Sequence, residues 1–133
     1  MIKSKYEIEE VVHKIKQILP EGGVVLLRGD LASGKTTLVK AFVKMMGIDE
    51  EATSPTFSIM QVYGENIFHY DIYNEGTAKF IESGLLENLE KPGYHLIEWG
   101  DKKLEAILEA YGFDYITVEI LPHGEKREYR ITE

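Results

Sequence analysis

The chain has 133 residues, 44% of them hydrophobic and 11% aromatic, a length and composition that usually mean one globular domain with one core. It contains no cysteine, which excludes disulfides and thiolate metal sites and suits a reducing interior. The formal net charge is −8, and only Arg28, Arg127 and Arg130 are arginines, so unaided binding to RNA or DNA, which draws on Lys and Arg at phosphates, is disfavoured.

In chain order, Ile8, Val11, Val12, Ile15, Ile18 and Leu19 recur at helical spacing and predict a helix over 7–19, stopped by Pro20-Glu21-Gly22-Gly23. Val24-Val25-Leu26-Leu27 is a continuous apolar run with two β-branched members, the pattern of a strand buried on both faces. Leu38, Ala41, Phe42, Met45 and Met46 form the next helical stripe, with Gly47 as its C-terminal cap. Strands are predicted over 57–63 and 66–73, joined by a hairpin at Gly64-Glu65. A weakly helical stretch over 77–89 breaks at Gly84, and Tyr94-His95-Leu96-Ile97 is another apolar run that ends at Glu98-Trp99. Asp101 caps a helix carrying Leu104, Ile107, Leu108 and Tyr111. Two last strands, over 115–121 and 127–132, turn through Pro122-His123-Gly124-Glu125. Early alternation of helices and strands, followed by antiparallel pairs, predicts an α/β domain over 1–133 with a mixed central sheet flanked by helices. Nothing approaches the ~20-residue apolar run of a membrane span, and the opening residues lack a signal peptide's apolar stretch; a cytoplasmic domain with no membrane contact is expected.

Gly29-Asp30-Leu31-Ala32-Ser33-Gly34-Lys35-Thr36 matches G-x-x-x-x-G-K-[ST] at every fixed position. It follows the buried-strand run and opens an amphipathic helix, the context that the chemistry requires. Its glycines let backbone N–H groups wrap closely around phosphate oxygens, and the helix that follows adds the positive end of its dipole. Lys35 can neutralise β- and γ-phosphates, and the Thr36 hydroxyl can ligate Mg²⁺. The competing reading is a chance glycine turn, and the motif alone does not name the base.

A P-loop enzyme needs a second carboxylate near the metal, at the end of an adjacent buried strand. Asp71 and Glu98 both qualify, and either can hold Mg²⁺ or orient the attacking water. Thr53-Ser54-Pro55-Thr56 is placed to supply a switch threonine, or is an ordinary turn. His69 reads as a half-buried strand histidine with a satisfied hydrogen bond, and Trp99 as a core residue made interesting by its neighbour Glu98. Arg28 stands at the strand end before the loop, while Arg127 and Arg130 lie far along the chain, so no arginine finger is evident. Slow turnover in isolation is therefore expected, with a partner's cation worth ~10³ or more in rate.

Taken in order, G-D-L-x-x-G-K-T-T, S-P-T-F, H-x-D-x-Y and E-W resemble the TsaE (YjeE) family, small bacterial P-loop ATPases needed for threonylcarbamoyladenosine formation in tRNA. The resemblance covers roughly residues 7–120. It implies ATP as the nucleotide, held by Gly29, Asp30, Leu31, Ala32, Ser33, Gly34, Lys35, Thr36 and Thr37 with Trp99 close by. It implies Mg²⁺ at Thr36 and Glu98, a switch-like loop containing Thr56, and a part for Lys35, Thr56, Asp71 and Glu98 in turnover. It also implies two partner proteins, TsaB and TsaD. TsaD transfers the threonylcarbamoyl group to adenosine 37 of tRNAs that read ANN codons, and the TsaE subunit hydrolyses ATP to reset or regulate that assembly. On this resemblance the chain meets tRNA only through the complex. It departs from the family pattern at Ala32, commonly glycine, and at Asn74, where arginine commonly follows the H-x-D-x-Y motif; no counterpart of the family's N-terminal threonine is placed near residues 4–8.

Two other functions compete. A small P-loop kinase would need several arginines and a closing lid to clamp two anionic substrates, and three scattered arginines fit that poorly. A nucleotide-gated binding module with negligible hydrolysis needs only the loop. A guanine-specific GTPase lacks the N-K-x-D segment that would read the base.

Overall fold

The computed structural model describes residues 1–30, 34–48, 60–73 and 76–133. Along the chain run β1 (Ile2–Lys3), α1 (Ile8–Ile18), β2 (Gly22–Arg28), α2 (Lys35–Met45), β3 (Met60–Tyr63), β4 (Ile67–Asp71), α3 (Gly76–Glu82), α4 (Leu85–Asn88), β5 (Gly93–Glu98), α5 (Lys102–Ala110), β6 (Tyr115–His123) and β7 (Lys126–Thr132). The strands form one sheet in the order β1-β7-β6-β2-β5-β4-β3. The centre is parallel, with β2 between β5 and β6 and with β4 beside β5; the β3–β4, β6–β7 and β1–β7 pairs are antiparallel. This is the mixed sheet that the sequence pattern predicts.

Strand alternation divides the core into two layers, because successive side chains point to opposite faces. Val25 and Leu27 of β2 join Leu96, Ile116 and Val118 against α1 and α2. Val24 and Leu26 join Phe68, Tyr70 and Ile97 against Phe80, Leu85, Leu89, Leu104 and Leu108 of the segments spanning α3 to α5. The four residues from Val24 to Leu27 are each at most 1% exposed, which is why that run shows no polar alternation.

The local signals mostly land where expected. Gly47 follows α2 with φ +76°, and Met46 N–H donates to the Phe42 carbonyl at 3.1 Å. The Asp101 carboxylate accepts from the Leu104 N–H at 2.9 Å. The 64–65 hairpin joins β3 to β4; residues 57–59 of the predicted strand lie outside the described residues. Gly84, in a left-handed conformation at φ +75°, separates α3 from α4. The two-residue β1 was not predicted. Its pairs, Ile2 with Glu128 and Lys3 with Arg127, are made with the far end of the chain, where no local pattern can signal them. Gly93 starts β5 at φ +128°, so tight against the Asn66 backbone that a Cβ would stand 2.8 Å from the Asn66 carbonyl carbon.

Candidate functional site

The parallel strands β2, β4 and β5 end on the same edge of the sheet, with Leu27 beside Glu98 and Glu98 beside Asp71 in register. The crevice beyond the carboxyl ends of such strands is where α/β sheets hold ligands. Alternation along β5 puts Glu98 on the same face as Leu96, the face that α2 covers. The last residue of β5 therefore turns toward the start of α2 without any special loop.

There Glu98 is 3% exposed, and it is not left alone. The Thr36 hydroxyl donates to its carboxylate, 3.0 Å from Oε2 and 3.3 Å from Oε1. His69 Nε2 lies 2.5 Å from Oε2. A carboxylate can only accept, so the ring's Nε2 carries the proton and donates. His69 is 0% exposed, and among the described residues its Nδ1 has no hydrogen-bond partner. The expected strand position and hydrogen bond are both present, and the correction is to burial: His69 is fully buried rather than half-buried. His95, buried on the opposite face, shows what satisfaction looks like: its Nδ1 meets the Tyr70 hydroxyl at 2.7 Å and its Nε2 the Lys91 carbonyl at 2.8 Å.

Lys35 folds back over the loop, its ammonium donating to the carbonyls of Gly29 at 2.8 Å and Asp30 at 2.9 Å. The same ammonium stands 3.9 Å from the centre of the Trp99 ring, close enough for a cation–π contact. Burial pushes Lys35 below the ordinary lysine range, against the opposing pull of Glu98, Asp71 and Asp30. Further negative charge at this point, such as a phosphate, favours the charged form. Burial raises the Asp71 carboxyl above the usual aspartate range, and Glu98 adds to the rise, while a hydrogen bond from Tyr73 N–H at 3.2 Å opposes it. Trp99 has φ +71°, a left-handed conformation that is uncommon for a bulky residue. Such an outlier costs roughly 1–3 kcal/mol and tends to persist at functional sites. Its ring lies 4.5 Å from that of Tyr73, and its backbone N–H donates to the Leu27 carbonyl at 3.1 Å.

Lys35, Thr36, Asp71, Glu98 and Trp99 are thus brought together, with Gly29 and Asp30 as acceptors for Lys35. Gly34 is buried at the N-cap of α2, and Asp30 and Thr37 are exposed. Leu31, Ala32, Ser33, Thr56 and Asn74 lie outside the described residues. Arg28 points away from the loop: its guanidinium binds the Gly100 carbonyl at 2.8 Å and Glu105 at 2.7 Å. His69 is the residue whose place at the site the sequence reading missed. Its period-2 offset from Asp71 was the available signal, since it puts the two on one face.

Compared with known proteins, residues 2–130 match the family model described as "Threonylcarbamoyl adenosine biosynthesis protein TsaE". A tRNA threonylcarbamoyladenosine biosynthesis protein TsaE of Treponema pallidum is 40% identical over 91 residues, 66% of this chain and 67% of that protein. The protein of the same name from Bacillus subtilis is 30% identical over 119 residues, 80% of this chain and 74% of that one. The match to a Nostoc relative spans 57% of that protein's length at 37% identity. Among solved structures, Bacillus subtilis YdiB superposes with a TM-score of 0.63 at 25% identity, over 99% of this chain and 86% of that one. The fold is that of a P-loop NTPase, and the chain belongs to the TsaE family of tRNA threonylcarbamoyladenosine biosynthesis proteins.

Proposed function

We propose that this chain, as a single domain over 1–133, binds ATP with Mg²⁺ at residues 29–37 and hydrolyses it in the cytoplasm. It does so in company with TsaB and TsaD, to reset or regulate the complex that forms threonylcarbamoyladenosine in tRNA. The observation that carries this reading is the buried chain of hydrogen bonds from His69 through Glu98 to Thr36, at the mouth of the phosphate loop.

The donor set fits magnesium. Thr36 Oγ1 and the Glu98 carboxylate are hard oxygens 3.0 Å apart, and Mg²⁺ prefers one or two protein oxygens completed by water and phosphate. When bound, the ion would neutralise and orient the β- and γ-phosphates. Thr36 and Glu98 would hold it, and His69 would keep Glu98 turned toward α2. Lys35 would turn from the Gly29 and Asp30 carbonyls to the phosphates, and exchanging two neutral carbonyl acceptors for phosphate oxygens suits its desolvated ammonium. Asp71, with its raised pKa, is the better placed of the two carboxylates to accept a proton from attacking water. Thr56 is assigned the switch role on the family resemblance alone. Trp99, beside Lys35, would lie close to the bound nucleotide.

The test is phosphate release from ATP by the full chain, alone and with TsaB and TsaD, beside a Lys35→Ala control. Strong Lys35-dependent activation by the partners is expected. Release that persists in the variant sinks the reading, a phosphorylated small molecule in place of free phosphate favours a kinase, and normal ATP binding without release leaves a nucleotide-gated module.

A further inference from the structure

Two of the three arginines are engaged by carboxylates: Arg28 by Glu105, and Arg130 by Glu119 and Glu128. Arg127 has no ion pair among the described residues, and like Arg130 it lies far along the chain from the loop. The sheet brings it back. It is the second residue of β7, in register with Pro122 of β6 and Lys3 of β1. From there its guanidinium lies across Gly34, the residue that caps α2. A Cβ on Gly34 would stand 2.7 Å from the Arg127 Cζ and 3.1 Å from its Nε. Two residues on, on the same face of β7, Tyr129 is 1% exposed, and the Arg127 charge beside its phenol opposes the rise that burial causes in its pKa. A cation with no ion pair among the described residues thus sits against the loop glycine, one residue from Lys35.

We propose that Arg127 is a positioning residue in cis for the nucleotide, holding its α-phosphate; this rests on the nucleotide-binding reading above. The side of approach identifies the phosphate. Glu98 and Thr36 meet on the β5 side of β2, whereas Arg127 arrives past β6 from the other side. The γ-phosphate belongs beside the metal oxygens, so the group that meets Arg127 is the one at the opposite end of the triphosphate. A planar guanidinium suits such a contact because it can offer two parallel N–H donors to phosphate oxygens. Its target is common to ADP and ATP. Arg127 therefore sets affinity for both alike, and is not a transition-state finger at the γ-phosphate. The guanidinium occupies the space that a side chain on residue 34 would take.

The competing explanation is a purely structural latch, in which Arg127 fastens β7 to α2. Nucleotide affinity separates the two. The full-length chain is titrated with Mg²⁺ and either ADP or a slowly hydrolysed ATP analogue, following the fluorescence of Trp99, the only tryptophan. Arg127→Gln keeps the stem packed on Gly34 while removing the charge, and Arg127→Lys restores the charge without the fork. Arg127→Gln is expected to weaken both nucleotides by the same factor, about ten- to a hundredfold, as loss of a charge-assisted hydrogen bond implies. Arg127→Lys recovers part of that. If the wild type binds both nucleotides and Arg127→Gln binds them as tightly, the inference is overturned. Loss confined to the ATP analogue overturns it too, by moving the contact to the γ-phosphate. Should Arg127→Gln fail to fold, Arg127→Lys decides alone: unchanged affinity for both nucleotides overturns the inference, and a common loss supports it. A wild type that binds neither nucleotide brings down the nucleotide reading itself, a failure distinct from the other three.

Discussion

His69 and Glu98 form a pair whose energetic weight can be worked out before any measurement. Both side chains are almost without solvent access, at 0% and 4%, and they meet at 2.5 Å. Replacing His69 by leucine keeps an apolar body of similar size in the core, but leaves Oε2 of a buried carboxylate with the Thr36 hydroxyl as its remaining donor. Hydrogen bonds to charged groups are worth about 1.5–3 kcal/mol, and stranding a buried charged acceptor costs at least as much. His69→Leu should therefore destabilise the fold by about 2–3 kcal/mol, a large share of a typical 5–15 kcal/mol total. Urea unfolding reads this as a lower midpoint with an unchanged slope. The decisive form is a double-mutant cycle with Glu98→Leu. Each single variant strands one partner and the double variant strands neither, so the double should be milder than the sum of the singles by at least about 1.5 kcal/mol. Additivity within about 0.5 kcal/mol would mean that the two groups do not hold each other, and Glu98 would lose its positioning support.

Two other perturbations have signs fixed by the geometry. Asp71 is held above the ordinary aspartate range by burial, so the folded state prefers its protonated form; that contribution is present below the unfolded pKa and is lost as pH rises through the folded one. Asp71→Asn should accordingly be more stable than wild type at neutral pH and lose ATP turnover, with the stability gap closing in acid; a gap that stays constant with pH in urea titrations would refute the assignment. Gly93→Ala should cost about 2–4 kcal/mol, from a left-handed residue and a Cβ driven into the Asn66 backbone; a loss under about 1 kcal/mol would show that β4 and β5 separate easily at that end.

How much of this was legible in the sequence depends on how far each contact reaches. The Val24–Leu27 run, the Asp101 cap, the Gly64 hairpin and Gly47 are signals written within a few residues, and each stands in the fold as read. The P-loop is local too, and so were its expected ligands. Asp71 and Glu98 were legible as strand-end carboxylates, but not their division of labour. That depends on which strand end meets Thr36, and it is Glu98 at the end of β5 rather than Asp71 at the end of β4, a contact across 62 positions. His69 looked mundane because its partner is 29 positions away on another strand. Arg127 looked remote because sequence distance says nothing about a hairpin that folds back over α2. The two-residue β1 exists only through its pairing with β7, and carries no periodicity of its own.

The most direct test of ATP binding at this loop is calorimetric titration of the full chain with ATP and Mg²⁺, wild type beside Lys35→Ala. Wild type should bind ATP in a magnesium-dependent manner, and Lys35→Ala should bind at least about tenfold more weakly while unfolding at a similar urea concentration. Equal affinity in the two proteins, or a wild type that binds no ATP, would contradict it.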